Sequence, residues 1–321
     1  MPIRPIEHGI FAGAAGGVAG FGYICGGATY APGAVPNATV DKFAFSNDAR
    51  TTIAALPAAT NLCSAFGNAG VAGYTAGGNG SPYQLDDIQK TTFADDTQST
   101  LSAVLPDNVN TQASCSNVAV AGYTAGGESS GGVQAHATID KLTYSSEAMS
   151  TLSASLAVGR RQVSAFANSG TAGYVAGGNQ GSSPYRVDTI DKIAFPGDAV
   201  SVLSATMSAA LRQTTGFANS GTAGYIAGGN GTDLVATVDK LTFSGESRST
   251  LGTGLSASTG SASAMANSGT AGYVALGGNG SVVTTVDKFA FADDSRSTLG
   301  TGLSLARSES AGMANEGSLA P

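Results

Sequence analysis

The chain has 321 residues, with 22 Asp or Glu against 15 Lys or Arg, a net charge of −7 and a pI near 4.7. That balance argues against nucleic acid and other polyanions as partners, because phosphate binding needs a basic footprint. With 46 Gly, 42% hydrophobic and only 12% charged residues, the composition suits neither a disordered chain nor a helical one, and it favours an all-β fold.

The first stretch, residues 1–19, is Gly- and Ala-rich and apolar after Arg4, like a signal peptide. Glu7 and His8 interrupt it, and the GYICGG that follows is in register with later repeats, so the reading here is an N-terminal arm rather than a cleaved leader. No run of about twenty apolar residues predicts a membrane span.

From residue 20 onward a unit of about fifty residues recurs, the period of a propeller or solenoid. Aligned on a Gly-Tyr pair, its tyrosines are Tyr23, Tyr74, Tyr123, Tyr174, Tyr225 and Tyr273, spaced by 51, 49, 51, 51 and 48 residues. An Asn six residues before five of these tyrosines, often in N-S-G or N-A-G, predicts a tight turn joining a strand a to a strand b that carries the Tyr. A Gly pair ends each strand b. Strand c is the V-D-K-F-A-F segment, whose period of two puts Val40, Lys42 and Ala44 on one face and Asp41, Phe43 and Phe45 on the other. Strand d is expected to carry Ile53, Leu101, Leu152, Leu203, Leu251 and Leu299.

Four short strands per unit make a blade, and six units predict an all-β, six-bladed propeller over residues 20–321. The two ends are complementary. The first unit lacks a recognisable strand a, whereas residues 306–317 form a strand a with no strand b after it. The C-terminal strand is therefore expected to complete the first blade and close the ring, hiding an edge that would otherwise template aggregation.

The order of apolar strand, Gly-Gly, V-x-x-F/Y strand and apolar anchor, with Arg160 or Arg161, Arg212 and Arg307 ahead of the next strand and Pro57 and Pro106 nearby, resembles a kelch repeat. The chain departs from that pattern in having no Trp. Its charge-poor wording, GYxAGG, DKLTF and STL, is also similar to repeat-containing virion proteins of bacteriophages. That resemblance implies a virion location, with an extracellular or cytoplasmic one as the alternative.

Every lysine of the chain stands at one repeat position: Lys42, Lys90, Lys141, Lys192, Lys240 and Lys288. Asp41, Asp140, Asp191, Asp239 and Asp287 precede five of them, with Gln89 before the other. Strand neighbours face opposite ways, so each Asp is expected to meet the Lys of an adjoining blade, giving a ring of inter-blade ion pairs. Cys25, Cys63 and Cys115 occupy different repeat positions and read as small buried hydrophobes. His8 and His136 are far apart in sequence, no metal or other cofactor is expected, and no nucleophile–base set is apparent. Glu128, Glu147 and Glu246 are the carboxylates that a sugar-cleaving reading would draw on.

Binding is expected where the repeat breaks. The loops between strands b and c lengthen in the first four units and carry Tyr30, Tyr83, Tyr185 and Arg186, the residue types suited to protein or sugar contacts. The expectation is a non-enzymatic structural or adhesive propeller, a virion surface, decoration or tail component mediating attachment or assembly. Its partners would be other virion or surface proteins, through the N-terminal arm, and possible glycans. The alternative is a carbohydrate-binding or carbohydrate-cleaving propeller.

Overall fold

A computed structural model describes residues 20–30, 33–81, 83–129, 134–183, 185–278 and 281–315. The N-terminal arm lies outside the described residues. The described chain is all-β and forms six four-stranded antiparallel sheets, each paired in the order a-b-c-d.

Blade four shows the pattern. Strand a (Ser164–Asn168) turns through Gly170, whose φ is 73°, into strand b (Ala172–Ala176), then strand c (Ile190–Ala194) and strand d (Ala199–Val202). The remaining blades repeat it, with strands b at Phe21–Cys25, Ala72–Ala76, Ala121–Ala125, Ala223–Ala227 and Ala271–Ala275. The anchor residues stand one place beyond strand d in five blades, as with Leu203 after Val202. Only Leu101 lies inside its strand, Gln98–Val104. The buried anchors come three or four residues later, at Leu56, Leu105, Leu156, Met207, Leu255 and Leu303.

The ring closes between the ends of the repeat region. The C-terminal strand, Ala311–Ala314, pairs with Phe21–Cys25 in antiparallel register, with Tyr23 opposite Met313. Phe21 N–H donates to Asn315 Oδ1 at 2.7 Å, and Asn315 N–H donates to Phe21 O at 2.9 Å. First and last repeats are thus held by the same ladder that holds every other blade together.

Between blades the contacts follow one rule. The Gly before each strand-b Tyr lies under a side chain of the preceding blade's strand a: Gly122 under Phe66, Gly224 under Phe166, Gly272 under Phe217. A Cβ there would occupy the ring, so the Gly of the Gly-Tyr pair is dictated by close approach. Each Tyr then stacks on the aromatic that ends strand c of the following blade, from Tyr23 on Phe93 at 5.1 Å between centroids to Tyr273 on Phe45, also at 5.1 Å. Such stacking adds about 0.5–1.5 kcal/mol per pair beyond the area buried. Repeated six times round a closed ring, it makes the neighbouring blade each blade's hydrophobic partner.

Candidate functional site

Three regions collect polar side chains: the joints between blades, the axial channel, and the rim bearing the b–c loops and the d–a connectors.

The joints use all six lysines. Lys42 pairs with Asp96 at 2.7 Å, Lys90 with Glu147 at 2.6 Å, Lys141 with Asp198 at 2.7 Å, Lys192 with Glu246 at 2.6 Å, Lys240 with Asp294 at 2.7 Å and Lys288 with Asp48 at 2.8 Å. Every partner belongs to the following blade, and the last pair returns to the first blade. The partner is not the strand-c Asp, which corrects the sequence expectation. It is the acid of the c–d turn, held at positive φ between 46° and 58° in all six turns. The same carboxylate accepts the strand-b Tyr hydroxyl, as when Tyr225 donates to Asp294 at 2.7 Å. Lys and Tyr are register partners on one face of their sheet, Tyr225 opposite Lys240, so both reach the same turn. For Glu147, burial opposes ionisation, but Lys90 and the Tyr74 hydroxyl outweigh it and hold its pKa below the ordinary glutamate value.

Asp41, Asp140, Asp191, Asp239, Asp287 and Gln89 point the other way, toward the connector entering their own blade. There they meet backbone donors: Ser208 N–H to Asp239 at 2.7 Å, Ser256 N–H to Asp287 at 2.7 Å, and Ala58 N–H to Gln89 at 2.8 Å. In two blades a buried arginine of the connector joins in, Arg307 to Asp41 at 3.0 Å and Arg160 to Asp191. Asp140 is the exception. Burial raises its pKa, relieved by the Thr151 hydroxyl at 2.6 Å but aggravated by the Asp107 carboxylate.

The arginines ahead of strand a therefore divide into two registers. Arg160 and Arg307 stand two residues before a positive-φ residue of the connector and are buried. Arg161 and Arg212 stand one residue before it, on the rim. The positive-φ residues themselves, Leu62, Thr111, Gln162, Gln213, Ser261 and Glu309, encircle the channel mouth. The N–H of each donates to the carbonyl of its counterpart in the preceding blade, at 2.8–3.0 Å, so six main-chain hydrogen bonds form a closed circle.

Below that circle the channel is walled by Ala, Ser and Gly of the strands a, among them Ala65, Ser114, Ala165, Gly216, Ala264 and Gly312. Small residues let six strands converge on the axis, and they leave a narrow channel whose adjoining parts hold about 110 and 120 Å³, with about 90 Å³ more at the mouth.

The rim has room. A cleft of about 310 Å³ is lined by Tyr30, Asn230, Leu234, Ser261, Val282 and Glu309. Tyr30 donates to Glu309 at 2.6 Å, and burial together with that carboxylate pushes its pKa up to about 12. A second, wider cleft of about 570 Å³ lies where the b–c loop of blade four meets blade five, lined by Tyr185, Arg186, Leu211, Thr232, Asp233 and Val235. Of the sequence-predicted loop residues, the structure brings Tyr185 and Arg186 to one cleft and Tyr30 to the other. Tyr83 stands free at 76% exposure, lining neither.

The carboxylates considered for sugar cleavage are engaged with cations: Glu147 with Lys90, Glu246 with Lys192, Glu128 with Arg161. The three cysteines are buried free thiols whose pKa burial raises to about 12. Among the described residues no three His, Cys, Asp or Glu side chains gather as a metal-ligand set, and no helix is long and apolar enough to cross a membrane. Compared with known families and with curated proteins, the chain matches no family model and no curated relative.

Proposed function

We propose that this protein is a non-enzymatic adhesive propeller, a kelch-like surface component of a virus particle that binds its partner through the rim of b–c loops. The reading rests on one observation. The groups that recur six times, the Tyr, Lys and turn acid of each joint, are consumed in holding the ring together, whereas the aromatic side chains that break the repeat lie on one rim. Tyr30, Tyr83 and Tyr185 are 46%, 76% and 61% exposed there. Exposed tyrosines on a rigid support lose little conformational entropy on binding, which makes them efficient contact residues.

The test is retention of the labelled full chain on a panel of intact bacterial cells, wild type against the triple variant Tyr30→Ala, Tyr83→Ala, Tyr185→Ala. Retention of the wild type on some hosts and its loss in the variant is the expected result. Equal retention of both, or none of the wild type on any host, overturns the reading.

A further inference from the structure

The overall charge of this chain argues against polyanions, yet the rim between blades four and five reverses that charge locally. Arg161 and Arg212 occupy equivalent positions of neighbouring connectors, and Arg186 comes from the b–c loop of blade four. Arg161 and Arg186 are bridged to the same residue, Asn179, from its two sides. Arg212 lies in the adjoining connector, bridged to Asn230, and its Nη1 donates to Gln162 at 3.3 Å, the residue next to Arg161.

The three differ in how their charge is met. Arg161 is held by Glu128. Among the described residues neither Arg186 nor Arg212 has a carboxylate within ion-pair distance, although Asp233 lines the cleft with Arg186. Partial burial lowers the pKa of Arg212, and the charges of Arg186 and Arg161 lower it further, as expected of cations crowded without a counter-ion. Elsewhere on this molecule every lysine has found an acid in the next blade. Leaving two guanidinium groups of one rim region without an acid is therefore a local departure from the rule that governs the rest of the ring.

A guanidinium presents planar, paired donors that match an oxyanion with two oxygens, such as a carboxylate or sulfate. Tyr185, immediately before Arg186 and 61% exposed, supplies an aromatic surface at the wall of the same 570 Å³ cleft. Leu211 and Val235 supply apolar contacts below it. Charge, a flat ring and a cleft of that size together describe a site for a sugar that bears an acidic group.

We infer that the cleft of Tyr185 and Arg186, with Arg212 beside it, is a binding site for an acidic saccharide, a glycan carrying a carboxylate or a sulfate. This deepens the adhesive reading and rests on it, since it names what the rim holds. The oxyanion sits against Arg186 and Arg212, and the sugar ring lies against Tyr185.

Calorimetric titration of the full chain at low salt tests it, with three oligosaccharides of equal length: an oligogalacturonate, a sulfated galactan oligomer and a neutral galactan oligomer. At least one acidic oligomer should bind at least about tenfold more tightly than the neutral one, and which of the two binds identifies the anion. Arg186→Gln and Arg212→Gln should each weaken that binding about tenfold or more, the loss of one charge-assisted contact. Both substitutions are at the surface, and unchanged circular dichroism shows that the fold persists. Equal binding of the neutral oligomer, no binding of either acidic one, or full affinity in the double arginine variant overturns the site. If acidic oligomers fail while the triple tyrosine variant still loses cell retention, the glycan assignment falls and the adhesive rim stands.

Discussion

The joint between blades five and six can be dissected one group at a time. Tyr225→Phe removes a single hydroxyl, one that donates to Asp294 at 2.7 Å, and leaves the ring stacked on Phe291 at 5.4 Å. A hydrogen bond to a charged acceptor contributes about 1.5–3 kcal/mol, so the expected loss is about 2 kcal/mol. Lys240→Met removes the ammonium at 2.7 Å from the same carboxylate, but the two side chains are 19% and 24% exposed and the pair is partly screened. The expected loss is then at most about 1 kcal/mol, and smaller in high salt. Asp294→Asn keeps a residue that tolerates the φ of 56° and removes the charge serving both donors, so it should cost more than either, about 2–3 kcal/mol. Equilibrium unfolding in urea, followed by far-ultraviolet circular dichroism, measures each variant and the two double variants with Asp294→Asn. The Tyr225–Asp294 coupling should exceed the Lys240–Asp294 coupling. A lysine coupling equal to or larger than the tyrosine coupling would refute the claim that the hydroxyl, and not the ion pair, dominates the joint.

Two further outcomes follow from contacts elsewhere in the ring. Gly272→Ala drives a methyl into the Phe217 ring and should destabilise by about 1–3 kcal/mol, but in a Phe217→Ala background the same change should cost far less; additive losses in urea would contradict the packing. Asp140 has a folded-state pKa raised by burial, so the folded protein binds more protons than the unfolded one between the two values and stability falls as pH rises through that window. Asp140→Asn should therefore be more stable than wild type at pH 7, with the advantage shrinking below the unfolded pKa, as thermal melts at pH 7 and pH 3.5 would show; a variant less stable at pH 7 contradicts the sign.

Much of this architecture was legible because close packing writes itself into residue types. The Gly-Tyr pairs mark where one blade lies on the next, and the orphan strand carrying Met313 pointed to its partner at Tyr23. The lysine ring was legible too, though its partners were misread. An acid stands six residues after every Lys, at Asp48, Asp96, Glu147, Asp198, Glu246 and Asp294. Because both Asp and Glu occur there and turns ordinarily carry solvated acids, the spacing by itself does not point to the lysine. What ties it to the joint is the positive φ of those residues, which aims the side chain back at the preceding blade and has no signature in residue type alone. The arginines show a similar limit. Arg160 and Arg161 are adjacent in sequence, yet one is buried on Asp191 and the other faces the rim, a one-residue difference in register that only the connector's path decides.

The circle of main-chain hydrogen bonds at the channel mouth separates fold from side-chain identity at the very centre of the molecule. Because amides and carbonyls do the holding, Leu62, Thr111, Gln162, Gln213, Ser261 and Glu309 are as unlike one another as any six equivalent residues in the chain. The axis of this protein is thus a collar fastened by its main chain, where side chains are free to vary in kind and some, as Glu309 with Tyr30 and Gln162 with Arg212, are turned to holding the rim.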